Sequence, residues 1–169
     1  RQKAINMFDK ALEVDPHNQL TLVAIAKLHA DSEQWPQSIE FQRRLLESVD
    51  DDRRFEIYND IGDMYRDRLS DHTSSVEAYA QAAELRPDDH QVLHKLLLSY
   101  QETKQWEQAV AVIQRISDLD ERVPAKAKYA YTAGVILRDE LSDSEGAVEK
   151  FNAALDLDPS QLKAFEAIN

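Results

Sequence analysis

Apolar residues recur along this chain at steps of three and four, and nowhere at a sustained step of two. That spacing marks one face of an α-helix rather than alternate faces of a strand. Ala4, Ile5, Phe8, Ala11 and Leu12 make the first stripe, closed by Asp15 and Pro16. Leu22, Ile25, Ala26 and Leu28 make the second, which breaks at Asp31–Gln34. Trp35, Ile39, Leu45 and Leu46 follow, with Pro36 in the first turn, where its missing amide removes no helical hydrogen bond. The run Asp50-Asp51-Asp52 falls where a helix should begin, and carboxylates are favoured there by the helix dipole.

Downstream the stripes are Phe55, Tyr58, Ile61, Gly62 and Tyr65, then Val76, Tyr79, Ala82 and Ala83, with Ser70 and Asp71 expected as caps between them. Next come Leu93, Leu96, Leu97 and Tyr100, then Trp106, Ala109, Val110, Ile113 and Ile116. Ala130, Ala133, Gly134 and Leu137 precede Ala147, Val148, Phe151, Ala154 and Leu155. A last stripe, Leu162, Phe165 and Ile168, opens after Pro159. About ten helices joined by short turns must pack as antiparallel neighbours.

The stripes repeat. Gly62 through Asp71 returns as Gly134 through Asp143, 72 residues on, with Arg-Asp and Leu-Ser-Asp kept in place. Val76-Glu77 returns as Val148-Glu149, Ala82 as Ala154 and Pro87 as Pro159; Gln34-Trp35 returns as Gln105-Trp106, 71 residues on. Self-similarity at fixed spacing means units that bury their apolar faces against their neighbours.

Tyr58-x2-Ile61-Gly62-x2-Tyr65 matches the first-helix signature of the tetratricopeptide repeat, and Leu22-x2-Ile25-Ala26-x2-His29, Leu93-x2-Leu96-Leu97-x2-Tyr100 and Ala130-x2-Ala133-Gly134-x2-Leu137 follow it more loosely. Ala4-x3-Phe8-x2-Ala11 with Pro16, Ser75-x3-Tyr79-x2-Ala82 with Pro87, and Ala147-x3-Phe151-x2-Ala154 with Pro159 follow the second-helix signature. The chain therefore resembles that family over its whole length. The resemblance implies an all-α, right-handed superhelical solenoid of antiparallel helix pairs, with small residues such as Ala82, Gly134 and Ala154 at the closest approaches.

It divides the chain into the second half of a repeat over 1–18, full repeats over 19–54, 55–89, 90–126 and 127–161, and the start of another over 162–169, the whole expected to be a piece of a longer protein. Two family repeats span about 68 residues. The surplus here falls at the exits 51–54 and 122–126 and near Leu69 and Leu141. The proline that closes a repeat is replaced by Asp50 and by Glu121.

Charge narrows the partners. A net charge of −12 over 169 residues argues against nucleic acid and against an anionic membrane surface. No apolar stretch is long enough to span a membrane. There are no cysteines, which removes thiol catalysis and zinc–thiolate sites. No Gly-rich phosphate loop or nucleophile elbow is present, so no catalytic residue, cofactor or metal is expected. His90 and His94 share a helix face four residues apart, yet no third ligand accompanies them, and two solvent-facing histidines are expected. Trp35 and Trp106 read as packing anchors. Nothing in the sequence fixes the compartment, and the cytoplasm is favoured only by default.

The resemblance also implies a protein-interaction role, with a peptide or protein segment held in a concave groove lined by first helices. By position, that wall includes Val23, Lys27, Asn59, Asp60, Asp63, Arg66, His94, Lys95, Lys128, Tyr131 and Arg138. Arg66-Asp67 and Arg138-Asp139 carry a second reading as inter-helix struts, since a strut, unlike a binding site, must recur in every module. The alternative to a groove is an architectural spacer or a self-assembly element, associating through ends where Ile5, Phe8, Phe165 and Ile168 need cover; a regulatory domain attached to an enzyme is a third.

Overall fold

The computed structural model describes residues 2–160 and 166. Those residues are helical throughout, joined by short turns, with no strand among them. They fall into two compact units, 1–87 and 88–169. The helix expected over Leu162, Phe165 and Ile168 lies outside the described residues.

The first unit holds α1 (Gln2–Val14), α2 (Gln19–Ala30), α3 (Trp35–Leu45), α4 (Asp51–Asp63), a π-helical turn (Met64–Arg68) and α5 (His72–Leu85). The second holds α6 (His90–Glu102), α7 (Trp106–Leu119), α8 (Val123–Asp139) and α9 (Ser144–Leu157). Helices pair as the periodicity requires: α2 with α3 and α4 with α5 in the first unit, α6 with α7 and α8 with α9 in the second.

The starts of the helices follow from side-chain chemistry. Asn18, Asp50, Asp71, Asp89 and Asp143 each accept a hydrogen bond from the backbone amide three residues on, at 2.9–3.0 Å. Each satisfies a donor that has no partner within its helix. The helices α3 and α7 begin instead at Trp35 and Trp106, without a side-chain cap; both indoles pack against the core of their unit.

In the first unit the core gathers Leu22, Ile25, Ile39, Leu45, Ile57 and Ile61, with Ile5 and Phe8 packed partly buried against it. In the second unit Ile113, Ala133 and Ile136 form one cluster and Ala147, Phe151 and Ala154 another. Ala82 and Ala154 are fully buried, as close helix approach demands.

The extra residue of each module has a definite form. After α2 the chain turns at Glu33 (φ 57°), and Gln34 donates back five residues to the His29 carbonyl at 2.9 Å. Lys104 (φ 56°) and Gln105 repeat this after α6. After α4 the turn residue is Ser70 (φ 53°), and Asp71 donates back six residues to Tyr65 at 2.8 Å. The surplus residue widens the last helical turn, so that Leu69 donates to Met64 at 3.1 Å across a five-residue step. The second unit repeats the device: Leu141 and Glu140 share the Ile136 carbonyl, Ser142 has φ 55°, and Asp143 donates to Leu137 at 2.8 Å. Ser70 is thus not the cap it was expected to be. It ends one helix in the left-handed region, and Asp71 alone caps the next.

Candidate functional site

The first helix of each pair carries the residues expected to line a binding wall. In the first unit these helices are α2 and α4, and in the second α6 and α8. Lys27 on α2, His94 on α6 and Lys128 on α8 are exposed, whereas Asn59 and Lys95 are half-buried.

Arg66, Arg138, Asp63 and Tyr131 make defined contacts within their own unit. The Arg66 guanidinium grips Asp67 through two hydrogen bonds, 2.7 and 3.0 Å, and lies 5.6 Å from the centroid of Tyr79. That hydrogen-bonded carboxylate holds Arg66 above its ordinary pKa. Arg138 does the same with Asp139, at 2.7 and 3.2 Å, over the ring of Phe151 at 5.6 Å. Asp63 accepts the Tyr79 hydroxyl at 2.6 Å. Burial first, and this hydrogen bond second, push the Tyr79 phenol well above its usual range. Tyr131 packs tilted against Phe151, ring centroids 5.7 Å apart. The recurring Arg-Asp pairs therefore sit where a strut would, each laid across the aromatic ring that fills its helix pair.

Beneath each of those rings lies a glycine. A β-carbon on Gly62 would come within 2.6 Å of Tyr79 Cδ1, and one on Gly134 within 2.6 Å of Phe151 Cε1. The two aromatics are wholly buried, so neither ring has room to retreat.

One cavity gathers expected and unexpected residues. About 220 Å³ opens between α2, α3 and α4, with exposed Val23, Lys27, Arg53 and Asp60 around it and buried Ala26, Leu45 and Ile57 within. Ser38 and Gln42, one helical turn apart on α3, line it too. Ser38 is fully buried, and neither its hydroxyl oxygen nor the buried Gln42 side-chain oxygen has a hydrogen-bond partner. Neither residue was singled out by the hydrophobic pattern. The signal that could have found them is the repeat itself: 71 residues on, the same two places hold Ala109 and Ile113.

In the second unit, Lys128 borders a shallow depression with Arg122, Pro124, Ala125 and Asp158. His94 lies 6.4 Å, ring centre to ring centre, from Tyr129. Among the described residues no three His, Asp or Glu side chains converge as a metal site, and no helix is long and apolar enough to cross a membrane.

Profiles of the family described as "Tetratricopeptide repeat" match residues 55–89 and residues 94–161. No curated protein matches the sequence. Among solved structures the chain is similar to YrrB, described as a TPR protein with an unusual peptide-binding site, with a TM-score of 0.57 at 18% identity over 98% of this chain and 82% of that one. It is similar to MamA, with a TM-score of 0.54 at 20% identity over 94% of this chain and 89% of that one. It is also similar to the N-terminal domain of stress-induced protein-1 from C. elegans, with a TM-score of 0.55 at 19% identity over 72% of this chain and 100% of that domain. With the family's signature matched in both halves of the sequence and its helix-pair fold in both units, the chain belongs to the tetratricopeptide-repeat family and is a protein–protein interaction scaffold.

Proposed function

We propose that the protein is a non-catalytic scaffold that holds a peptide or an extended protein segment against the first-helix faces of its repeats, those of α2 and α4 and those of α6 and α8. The observation that carries this reading is the cavity between α2, α3 and α4, where Val23, Lys27 and Asp60 from first helices surround a recess with apolar walls. A recess of that kind takes a side chain, and the charges around it orient one. The peptide-binding site of YrrB, a protein of the same fold, supports the reading. The repeat partition over 19–54, 55–89, 90–126 and 127–161 belongs to the same proposal, each full repeat giving one first helix to the binding face of its own unit.

Peptides selected from a random library for binding to the protein test it. Lys27→Glu and Lys128→Glu, both at exposed positions, should each weaken the selected peptides several-fold while helix content stays unchanged. Peptides that bind both variants as well as the parent would place the site elsewhere.

A second reading, self-association, draws on Met7 and Val14 of α1, which are 64% and 87% exposed in the first unit. Light scattering decides it: a mass that rises with concentration, and stops rising in Met7→Glu, would favour an assembly element.

A further inference from the structure

Ser38 and Gln42 set two oxygens on α3 beside the cavity; Ser75, at the place of Ser38 in the next repeat, is also buried but donates its hydroxyl to the His72 carbonyl at 2.8 Å. Ser38 and Gln42 stand one turn apart, the first fully buried, and neither the Ser38 hydroxyl oxygen nor the Gln42 side-chain oxygen has a hydrogen-bond partner within the protein. A buried polar group left unsatisfied is destabilising, and native proteins keep few of them. The second module offers an internal control. At the matching places it carries Ala109 and Ile113, both fully buried, and the α6–α7 pair forms around them. Alanine and isoleucine thus serve the fold in this position. The first module keeps a hydroxyl and an amide there, and both line a cavity of about 220 Å³.

The charged residues around the cavity differ between modules, while Val23 and Ala30 stand where the second module has the polar His94 and Gln101. Lys27, Arg53 and Asp60 stand where the second module has Leu98, Ala125 and Thr132. Charge, rather than polarity as such, is what the first module adds at this recess.

We propose that this recess is a specificity pocket for the side-chain carboxamide of an asparagine or glutamine in a bound segment. The proposal rests on the first-helix face being the binding face, and it names the group recognised there. The chemistry of the floor selects the guest. A serine hydroxyl donates or accepts as it rotates, and the Gln42 amide presents an oxygen or an NH2 group as it turns. A neutral carboxamide, with one acceptor and two donors in a plane, complements either arrangement. A carboxylate matches only donors, and an ammonium group only acceptors. The apolar walls, Ala26, Leu45 and Ile57, suit the methylene stem of such a side chain.

The test uses small probes and needs no natural partner. Propionamide, propionate, propylammonium and N,N-dimethylacetamide are titrated into the whole chain, and backbone amide shifts of α2, α3 and α4 are followed. Propionamide should give saturable shifts around Ser38 and Gln42, with the other three binding roughly tenfold more weakly or not at all. Ser38→Ala with Gln42→Ile, which installs the pair of the second module, should abolish the propionamide shifts while leaving helix content intact. Ala30→Leu, which fills the recess from α2, should abolish them as well.

Equal binding of propionate or propylammonium would overturn the proposal. So would saturable propionamide binding that survives both variants, or no saturable shift with any probe. Failure of the first-helix reading looks different: library peptides would then ignore Lys27→Glu, whatever propionamide does.

Discussion

At the scale of single residues, the two modules solve one packing problem with two matched sets of side chains. Each pairs a glycine on the first helix with a buried aromatic on the second, because no β-carbon fits under the ring. Where the aromatic is Tyr79, its hydroxyl requires an acceptor, and Asp63 supplies one at 2.6 Å. Where it is Phe151, no acceptor is needed, and the residue matching Asp63 is Val135. The two differences belong together. Tyr79→Phe should cost about 1 kcal/mol, the net worth of a typical hydrogen bond. Joined with Asp63→Val, it recreates the pair of the second module, and the double variant should be more stable than the two single losses summed predict, by at least about 0.5 kcal/mol. Urea unfolding measures both. Strict additivity would mean that the hydroxyl and the carboxylate are not coupled.

At the scale of elements, the extra residue near Leu69 and near Leu141 is taken up by widening a helix end, not by lengthening a loop. The widened turn then hands over, through a left-handed serine, to an aspartate cap. The cap is where this device can be tested. Asp71 accepts from both the amide and the hydroxyl of Ser74, and these hydrogen bonds hold its carboxyl below the usual carboxylate range. Asp71→Ala and Asp143→Ala should each lose about 0.5–2 kcal/mol in denaturant unfolding; unchanged stability in both would remove the capping role.

The end of α7 gives a pH signature. Asp120 is buried, and its hydrogen bonds from Arg122 hold the carboxyl at about 2. A depressed folded pKa favours the folded state at every pH above the unfolded carboxyl value of about 3.9. That contribution fades as pH falls from there towards 2. The stability gap between the parent and Asp120→Asn should therefore be steady near neutrality and close between pH of about 4 and about 2. A gap that does not change with pH in that window would show that Asp120 is not held ionised by Arg122.

At the scale of the whole molecule, the helix pairs were legible because each needs one apolar stripe, and the stripes, caps and small residues repeat in phase. Trp35, Trp106, Gly62 and Gly134 announced their roles by recurring. The place of the surplus residue could be read near Leu69 and Leu141, but its form could not. A widened turn and an added loop residue leave the same trace in a one-dimensional pattern, and so Ser70 read as a cap when it is a left-handed helix stop. The binding face was legible only as a list of polar positions on first helices. The recurrence of Arg66-Asp67 and Arg138-Asp139 pointed to struts, but the list could not reveal that Asp63 and Tyr131 are engaged within their units as well. Nor could it reveal Ser38 and Gln42, whose helix positions read as ordinary until the two modules are laid side by side.

The central claim is that the first helix of each pair presents the surface that partners use. Backbone amide shifts on adding a library-selected peptide test it most directly. The largest shifts should fall on α2 and α4 or on α6 and α8, with Lys27 or Lys128 among the perturbed residues. Shifts confined to α3, α5, α7 and α9, with the first helices silent, would contradict it.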